Sequence, residues 1–159
     1  MRPSTISIFI FTAAVGFFIL MAQAEAVEPV QETLAVIQPV AGEKVSGEIH
    51  LMPSEDGLKI TGKFQDLESG SHGFHVHRYG NCTAPNEGSV GPHFAPIPET
   101  KKYHGDLPHV EADMNGESQY EAVVNNLGLA GEFSIIGRAM VIHAKDGKKI
   151  GCGVIGIAK

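Results

Sequence analysis

Short runs of alternating apolar and polar residues, separated by turn residues, fill the chain from Thr33 onward. Alternation of this kind is typical of β-strands with one buried face, and no run shows the 3.6-residue period of an amphipathic helix. Asp56-Gly57, Asn115-Gly116 and Asp146-Gly147 are dipeptides that favour tight hairpin turns. The pattern predicts an all-β domain, an eight-stranded antiparallel barrel or sandwich. The predicted strands are residues 34–40, 45–52, 58–64, 72–79, 109–113, 120–124, 134–143 and 151–157.

Residues 80–107 interrupt this pattern. The segment contains four prolines and shows no strand alternation. A loop of this length inside a compact domain is usually functional or disordered. Several side chains suited to metal binding lie within it: Cys82, His93, His104 and Asp106. We therefore predict one long functional loop.

The N-terminus has the features of a secretory signal peptide. Arg2 precedes a nearly unbroken apolar run over residues 6–21, which ends in the small-x-small sequence Ala22-Gln23-Ala24. We expect a signal peptide at residues 1–24, a leader at 25–32 and one domain at 33–159. The alternative is a permanent membrane anchor, because the apolar run approaches spanning length. With cleavage, the mature protein is expected in the periplasm or outside the cell, without stable membrane association.

Charge and cysteine content narrow the function classes. The net charge is −6, and removing residues 1–24 takes away Arg2 and shifts it to about −7. An acidic chain without a basic stripe is a poor nucleic-acid binder, so no nucleic-acid partner is expected. Two cysteines in an exported chain of this size, Cys82 and Cys152, predict one disulfide.

Four of the eight histidines are candidate metal ligands. His75 and His77 fall on one face of a predicted strand, while Phe74 and Val76 point into the core. His93 lies in the long loop and His143 ends a predicted strand. If the four converge, four imidazoles suit Cu(II) and tolerate Cu(I), although zinc would also accept them. A His-x-His pair alone is more often plain surface decoration, which is also how we interpret His50 and His109; His72 faces away from His75.

Six further motifs occur in order along the chain: Gly73-Phe74-His75-Val76-His77, Gly91-Pro92-His93-Phe94, Gly105-Asp106-Leu107, Ile136-Gly137-Arg138, Val141-Ile142-His143 and Gly151-Cys152-Gly153-Val154-Ile155-Gly156. With these motifs, the chain from about Thr33 to Lys159 resembles the copper/zinc superoxide dismutase family. The resemblance implies an eight-stranded Greek-key β-barrel and superoxide dismutase activity, with superoxide as the substrate. It implies that His75, His77, His93 and His143 bind copper and that Cys82 pairs with Cys152.

The chain departs from the family at the zinc site. His93 and Asp106 are present, but Tyr103 stands two residues before the Gly-Asp pair and His104 comes one residue late. His104 and Asp106 are therefore tentative zinc ligands or outer partners of the copper ligands, with His109 or water as an improvised fourth zinc ligand. A structural zinc site needs four ligands, so we expect copper alone rather than copper with zinc.

A second departure follows His143, where the family has a long loop ending in an arginine. Here the loop is short and Lys149 occupies the arginine position. Lysine lacks the planar fork of arginine and orients a small anion less well, but it still contributes positive potential with Lys145 and Lys148. A solvated turn is the alternative interpretation of this lysine cluster.

These residues suggest an exported, copper-dependent superoxide dismutase that produces dioxygen and hydrogen peroxide. His93 and Lys149 are the expected catalytic residues: His93 leaves the metal on reduction, takes up a proton and returns it. The alternative is a non-catalytic protein that buffers or carries copper outside the cytoplasm. A homodimer is compatible with the chain, but no feature of the sequence indicates one.

Overall fold

The computed structural model describes residues 27–96 and 103–158. That part of the chain contains ten β-strands and one short 3₁₀ helix, Pro85–Glu87. The strands are β1 (Thr33–Pro39), β2 (Ser46–Ser54), β3 (Gly57–Gln65), β4 (Gly70–His72), β5 (Phe74–His77), β6 (Val110–Ala112), β7 (Ser118–Val124), β8 (Ala139–His143), β9 (Lys149–Val154) and β10 (Gly156–Ile157).

Eight of these strands form one antiparallel sheet. Its order is β5-β8-β9-β1-β2-β3-β7, with β10 paired to β1, while β4 and β6 form a separate pair. Strand β1 joins the two halves, because Thr33–Ile37 pairs with β2 and the end of the strand pairs with β9. Consecutive strands β7 and β8 lie far apart in this order, as Greek-key connections require. The predicted all-β, eight-stranded antiparallel Greek-key fold is confirmed.

The sheet curls so that its two ends meet across the core. Phe74 of β5 contacts Phe64 of β3 and Tyr120 of β7 in edge-to-face pairs, each with ring centroids 5.3 Å apart. Edge-to-face contacts between aromatic rings add stabilisation beyond the apolar area they bury. The terminal strands β5 and β7 are thereby held together through side chains.

Strand β8 is buried on both faces along its whole length. Met140 and Ile142 point into the main core, whereas Ala139 and Val141 form a second apolar cluster with Val90. Val90 belongs to the long loop, so this loop covers the outer face of β8. This burial explains the continuous apolar sequence before His143, since a strand covered on both faces need not alternate.

Three predicted strands differ from the observed ones, and the predicted strand 151–157 is divided between β9 and β10. Residues 72–79 form not one strand but the end of β4 and all of β5, which pair with β6 and β8 respectively. The predicted strand 134–143 begins only at Ala139. Ile135 is fully buried, yet it sits in a turn closed by a hydrogen bond from Arg138 N to Ile135 O. Apolar residues in a turn can bury as completely as those in a strand, so composition alone misplaced this boundary.

The expected signal peptide, residues 1–24, lies outside the described residues. The described end of the leader joins the domain through a hydrogen bond from Ala158 N to Glu32 O, 3.0 Å long. No helix in residues 27–96 and 103–158 is long and apolar enough to cross a membrane.

Candidate metal centre

The long loop returns to β5 and places two side chains opposite the His-x-His pair. His93 forms a backbone bridge with His77, and Asp106 forms one with His75. Short hydrogen bonds fix both loop segments on the free edge of β5: Phe94 N to Val76 O and Val76 N to Gly105 O, each 2.8 Å. Gly105 is required here, since a Cβ at this position would lie 2.2 Å from Val76 O.

Four imidazole rings converge at the end of β5 and β8. One nitrogen from each of His75, His93 and His143 lies within 4.8 Å of the corresponding atoms of the other two. His77 joins them, with its Nε2 3.4 Å from His143 Nε2. The centroids of the His75 and His93 rings are 4.1 Å apart. The four histidines singled out in the sequence therefore lie in one cluster.

Three of these rings use their Nδ1 atom in a hydrogen bond directed away from the other rings. His77 Nδ1 donates to Gly91 O at 2.8 Å, and His143 Nδ1 donates to Gly147 O at 3.0 Å. His93 Nδ1 donates to Asp106 Oδ1 at 2.6 Å. Such bonds fix the tautomer and leave the Nε2 lone pair of each ring for a metal ion.

His75 completes the set through its other nitrogen. Its Nδ1 is buried and forms no hydrogen bond with any described residue, although it lies 3.3 Å from Asp106 Oδ1. An unpaired polar atom in a buried position destabilises the fold unless something binds it. Together with the three Nε2 atoms, this orphaned nitrogen fits a metal ion, and an all-imidazole set suits copper.

Burial keeps these imidazoles neutral, which is the form that binds metal. Burial, together with the nearby His93 and His143 rings, lowers the pKa of His75 to about 3. Burial also lowers the pKa of His77 to about 4 and depresses the pKa of His143. At neutral pH these three rings therefore present lone pairs rather than protons.

A wide cleft of about 720 Å³ opens onto the imidazole cluster. Lys145 and Lys149 line it, so an anion that enters meets positive charge. Lys148 does not line the cleft, because its ammonium group pairs with Glu43 Oε1 at 2.5 Å. The three lysines identified in the sequence therefore divide into two at the cleft and one paired beside it.

Comparison with known proteins assigns the fold and the cluster to a family. The family model described as Copper/zinc superoxide dismutase (SODC) matches residues 45–155. The chain belongs to the copper/zinc superoxide dismutase family. Copper is the cofactor of this dismutase family, and the described histidine cluster is suited to hold a metal ion. The expected copper cofactor is thereby confirmed.

Relatives of this dismutase family member include plant and nematode proteins. It is 37% identical over 127 residues to superoxide dismutase (Cu-Zn) of Onchocerca volvulus, covering 74% of this chain and 79% of that one. It is 34% identical over 122 residues to superoxide dismutase (Cu-Zn) 3 of Arabidopsis thaliana, covering 62% and 74%. It is 36% identical over 117 residues to the extracellular superoxide dismutase (Cu-Zn) of Brugia pahangi, covering 69% and 58%.

A solved structure resembles this dismutase fold closely. The crystal structure of the clock protein EA4 superposes with a TM-score of 0.72 at 29% sequence identity. The match covers 84% of this chain and 99% of the other.

The tentative zinc residues are separated in this member of the family. Asp106 lies at the copper cluster, between His93 and His75. His104 is turned elsewhere: its ring packs on Phe133, with centroids 5.6 Å apart, and its buried Nδ1 has no hydrogen-bond partner among the described residues. The rings of Tyr103 and His93 meet in an edge-to-face arrangement, with their centroids 5.6 Å apart.

The predicted disulfide of this dismutase is present. Cys82 and Cys152 are bonded, with their Cα atoms 5.8 Å apart and 70 residues between them in sequence. The bond attaches the start of the long loop to β9. Asn86, four residues further along, exchanges two 3.0 Å hydrogen bonds with the backbone of Lys149. The loop that carries His93 is thus fixed at both its disulfide and its 3₁₀ helix.

Sequence reasoning missed two supporting histidines. His72 is buried, and its Nδ1 and Nε2 atoms contact the carbonyl oxygens of His143 and Glu68 at 2.9 and 2.7 Å, which joins β4 to the end of β8. His109 is exposed, as expected, but it also lines the cleft. Its position follows from the pairing of β4 with β6, which places it beside Ser71, distant in sequence. The alternation of apolar and polar residues does not predict a contact between side chains as distant in sequence as Ser71 and His109.

Proposed function

We propose that this protein is an exported, copper-dependent superoxide dismutase that converts superoxide into dioxygen and hydrogen peroxide. The observation that carries the proposal is the arrangement of donors at the cluster. His77, His93 and His143 direct their Nδ1–H groups outward, and His75 leaves a buried Nδ1 unpaired. These four side chains would hold the copper ion. Copper supplies one-electron redox chemistry at such a site.

His93 is the histidine best suited to carry a proton. His77 and His143 are held by backbone carbonyl oxygens, whereas His93 is held by the exposed carboxylate of Asp106. Because its partner is the Asp106 side chain, the His93 ring can move more freely than the His77 and His143 rings, which lie on strands and are held by the backbone. Because Asp106 accepts from Nδ1, the proton that His93 gains and returns would sit on Nε2.

Copper alone is the proposed metal content. A zinc ion beside the copper would need His93 Nδ1 as one of its ligands. Here Asp106 already accepts a hydrogen bond from that atom at 2.6 Å. His104 packs on Phe133, which supports the prediction that zinc lacks a full ligand set. Asp106 would then be an outer partner of His93.

Superoxide would reach the site through the cleft, attracted by Lys145 and Lys149. Lys149 takes the role of the guiding cation, and its backbone is fixed by Asn86. The similarity to an extracellular nematode dismutase supports export of this chain. Whether the compartment is the periplasm or the extracellular space depends on the cell that makes it.

The test is superoxide consumption by copper-loaded protein, compared with His93→Ala. We expect turnover approaching the diffusion limit, on the order of 10⁸ M⁻¹s⁻¹ or more, and its loss in the variant. His50→Ala is the matched control, since His50 lies on β2 and pairs with Glu32 and Glu48 outside the cleft. Metal analysis of the natively purified protein should give one copper and no zinc per chain.

A different result would identify the alternative function. Tight copper binding with negligible superoxide turnover would exclude the enzyme and assign a copper carrier or buffer. The open cleft above the cluster is the feature that would favour such exchange.

A further inference from the structure

Three polar side chains are joined by a chain of hydrogen bonds at one wall of the cleft, and two of them line it. Ser71 on β4 and Glu111 on β6 are paired across the two strands, and His109 directly precedes β6. Ser71 Oγ donates to Glu111 Oε1 at 2.7 Å and lies 2.9 Å from His109 Nδ1. Ser71 and His109 line the cleft together with the four clustered imidazoles.

The hydrogens in this chain can be assigned from the chemistry of the groups. Serine has one hydroxyl hydrogen, and the Glu111 carboxylate takes it. His109 Nδ1 must therefore be the donor to Ser71 Oγ, which leaves the lone pair on Nε2. No described residue forms a hydrogen bond with that Nε2.

This order of groups argues against a hydrolase. A serine nucleophile gives its proton to histidine, and the carboxylate orients the histidine. Here the serine hydroxyl points at the carboxylate instead, so Ser71 is not activated. The arrangement matches the outer support of a metal-binding histidine, in which the second nitrogen is tied toward a carboxylate.

The position of His109 suits the capture of an incoming ion. The ring is exposed, whereas His77 and His143 at the base of the cleft are buried. His109 and His75 line the same cleft. Lys145 and Lys149 repel a cation elsewhere along the cleft, while Glu111 provides a carboxylate beside His109.

We propose that His109 is an entry ligand for copper, which binds the ion at the exposed wall and passes it to the four-histidine cluster. Ser71 and Glu111 hold the ring for this step. First binding at the wall makes the second step intramolecular and raises the effective concentration of copper at the cluster. The inference rests on the copper site and is independent of the dismutase reaction proposed for it.

The experiment measures the rate of copper loading. Metal-free, disulfide-bonded protein is mixed with aqueous Cu²⁺ in a non-coordinating buffer, and the visible absorption band of the filled site is followed by stopped flow. His109→Gln retains a donor to Ser71 but loses the imidazole, and we expect its second-order loading rate to fall by about tenfold. Ser71→Ala should give a smaller reduction, because the ring remains but its support is lost.

The final state of the copper-loaded protein shows whether His109 binds copper only during loading or remains a ligand afterwards. In His109→Gln the final spectrum and the one-to-one stoichiometry should equal those of the wild type, and His50→Gln should load at the wild-type rate. Loading of His109→Gln at the wild-type rate would overturn the proposal. So would a changed final spectrum, since His109 would then be a lasting ligand. A protein that loads by this route without consuming superoxide would refute the dismutase and leave the entry ligand standing.

Discussion

Lys145 and Lys149 face the cleft, whereas the hydrogen bond to Glu43 raises the pKa of Lys148 and engages its charge. Lys145 also donates to Ser69 O at 2.8 Å, which holds its ammonium group near the cleft wall. At the scale of single residues, these three lysines lie close together in sequence, but their hydrogen-bond partners decide which of them face the cleft. Of these three lysines, Lys145 and Lys149 are the two placed to attract superoxide.

Charge reversal tests this division. Lys145→Glu with Lys149→Glu should lower the rate of superoxide consumption by about tenfold at low salt, because the anion would meet negative charge. The wild-type rate should fall as the ionic strength rises from about 0.01 M to 0.15 M, whereas the rate of the double variant should rise, because salt screens repulsion as well as attraction. The paired change Lys59→Glu with Lys63→Glu, on β3 outside the cleft, alters net charge equally. If both pairs of substitutions slow the reaction alike, net charge rather than steering controls the rate.

The sequence predicted the histidine cluster well but not its supports. The His-x-His spacing, the long loop and the strand end identified the four histidines as candidate ligands, and the family resemblance assigned copper to them. The partners of His77 and His143 escaped prediction because they are backbone atoms. Gly91 and Gly147 act through carbonyl oxygens, and which carbonyl a ring meets depends on the fold.

At the scale of elements, Gly73 separates two strands that sequence alternation predicts as one. The alternation continues from β4 into β5, but the two strands pair with different partners, β6 and β8. A Cβ at Gly73 would lie 2.9 Å from His75 Nε2, so the break also makes room for that ring. The predicted hairpin dipeptides lie at turns, but each glycine follows the two central residues instead of being one of them: Gly116 N donates to Asp113 O, and Gly147 N donates to Ala144 O. Which strand β4 or β5 pairs with depends on distant parts of the chain, so the local sequence does not reveal it.

The disulfide should support both stability and metal binding through the long loop. Cys82→Ala with Cys152→Ala frees a closed loop of 70 residues, which costs about 4 kcal/mol in the chain-entropy model. Copper affinity should fall as well, because the loop places His93 opposite His77. Urea unfolding and competition with a copper chelator measure the two effects. Equal stability and affinity in the double variant would show that hydrogen bonds to β5 alone position the loop.

At the scale of the whole molecule, the buried imidazoles couple folding to pH. In the unfolded chain these histidines have a pKa near 6.5, whereas in the fold the pKa values of His75 and His77 are about 3 and 4. The unfolded state thus binds more protons below pH 6.5. The stability contributed by the neutral rings is complete above that pH and is lost as the pH falls toward 4 and 3.

Metal-free protein should therefore unfold more readily at pH 4.5 than at pH 7. Each histidine steepens the fall in unfolding free energy by at most about 1.4 kcal/mol per pH unit. Replacing His75 and His77 by glutamine should flatten the dependence, as measured by urea unfolding across this range. His50→Gln should not flatten it, because hydrogen bonds to Glu32 and Glu48 raise the pKa of His50 and give it the opposite sign. An equally steep curve without His75 and His77 would assign the acid sensitivity to carboxylates.

The long loop has one more effect, which concerns how molecules meet one another. Strand β5 is the last strand of its sheet, and an uncovered terminal strand is a template for pairing with another chain. Gly105 and Leu107 occupy that edge, the first by accepting from Val76 N and the second by donating to Phe74 O. The segment that completes the metal centre thus also closes the sheet to intermolecular β-pairing, so loosening it would lead to aggregation as well as to copper loss.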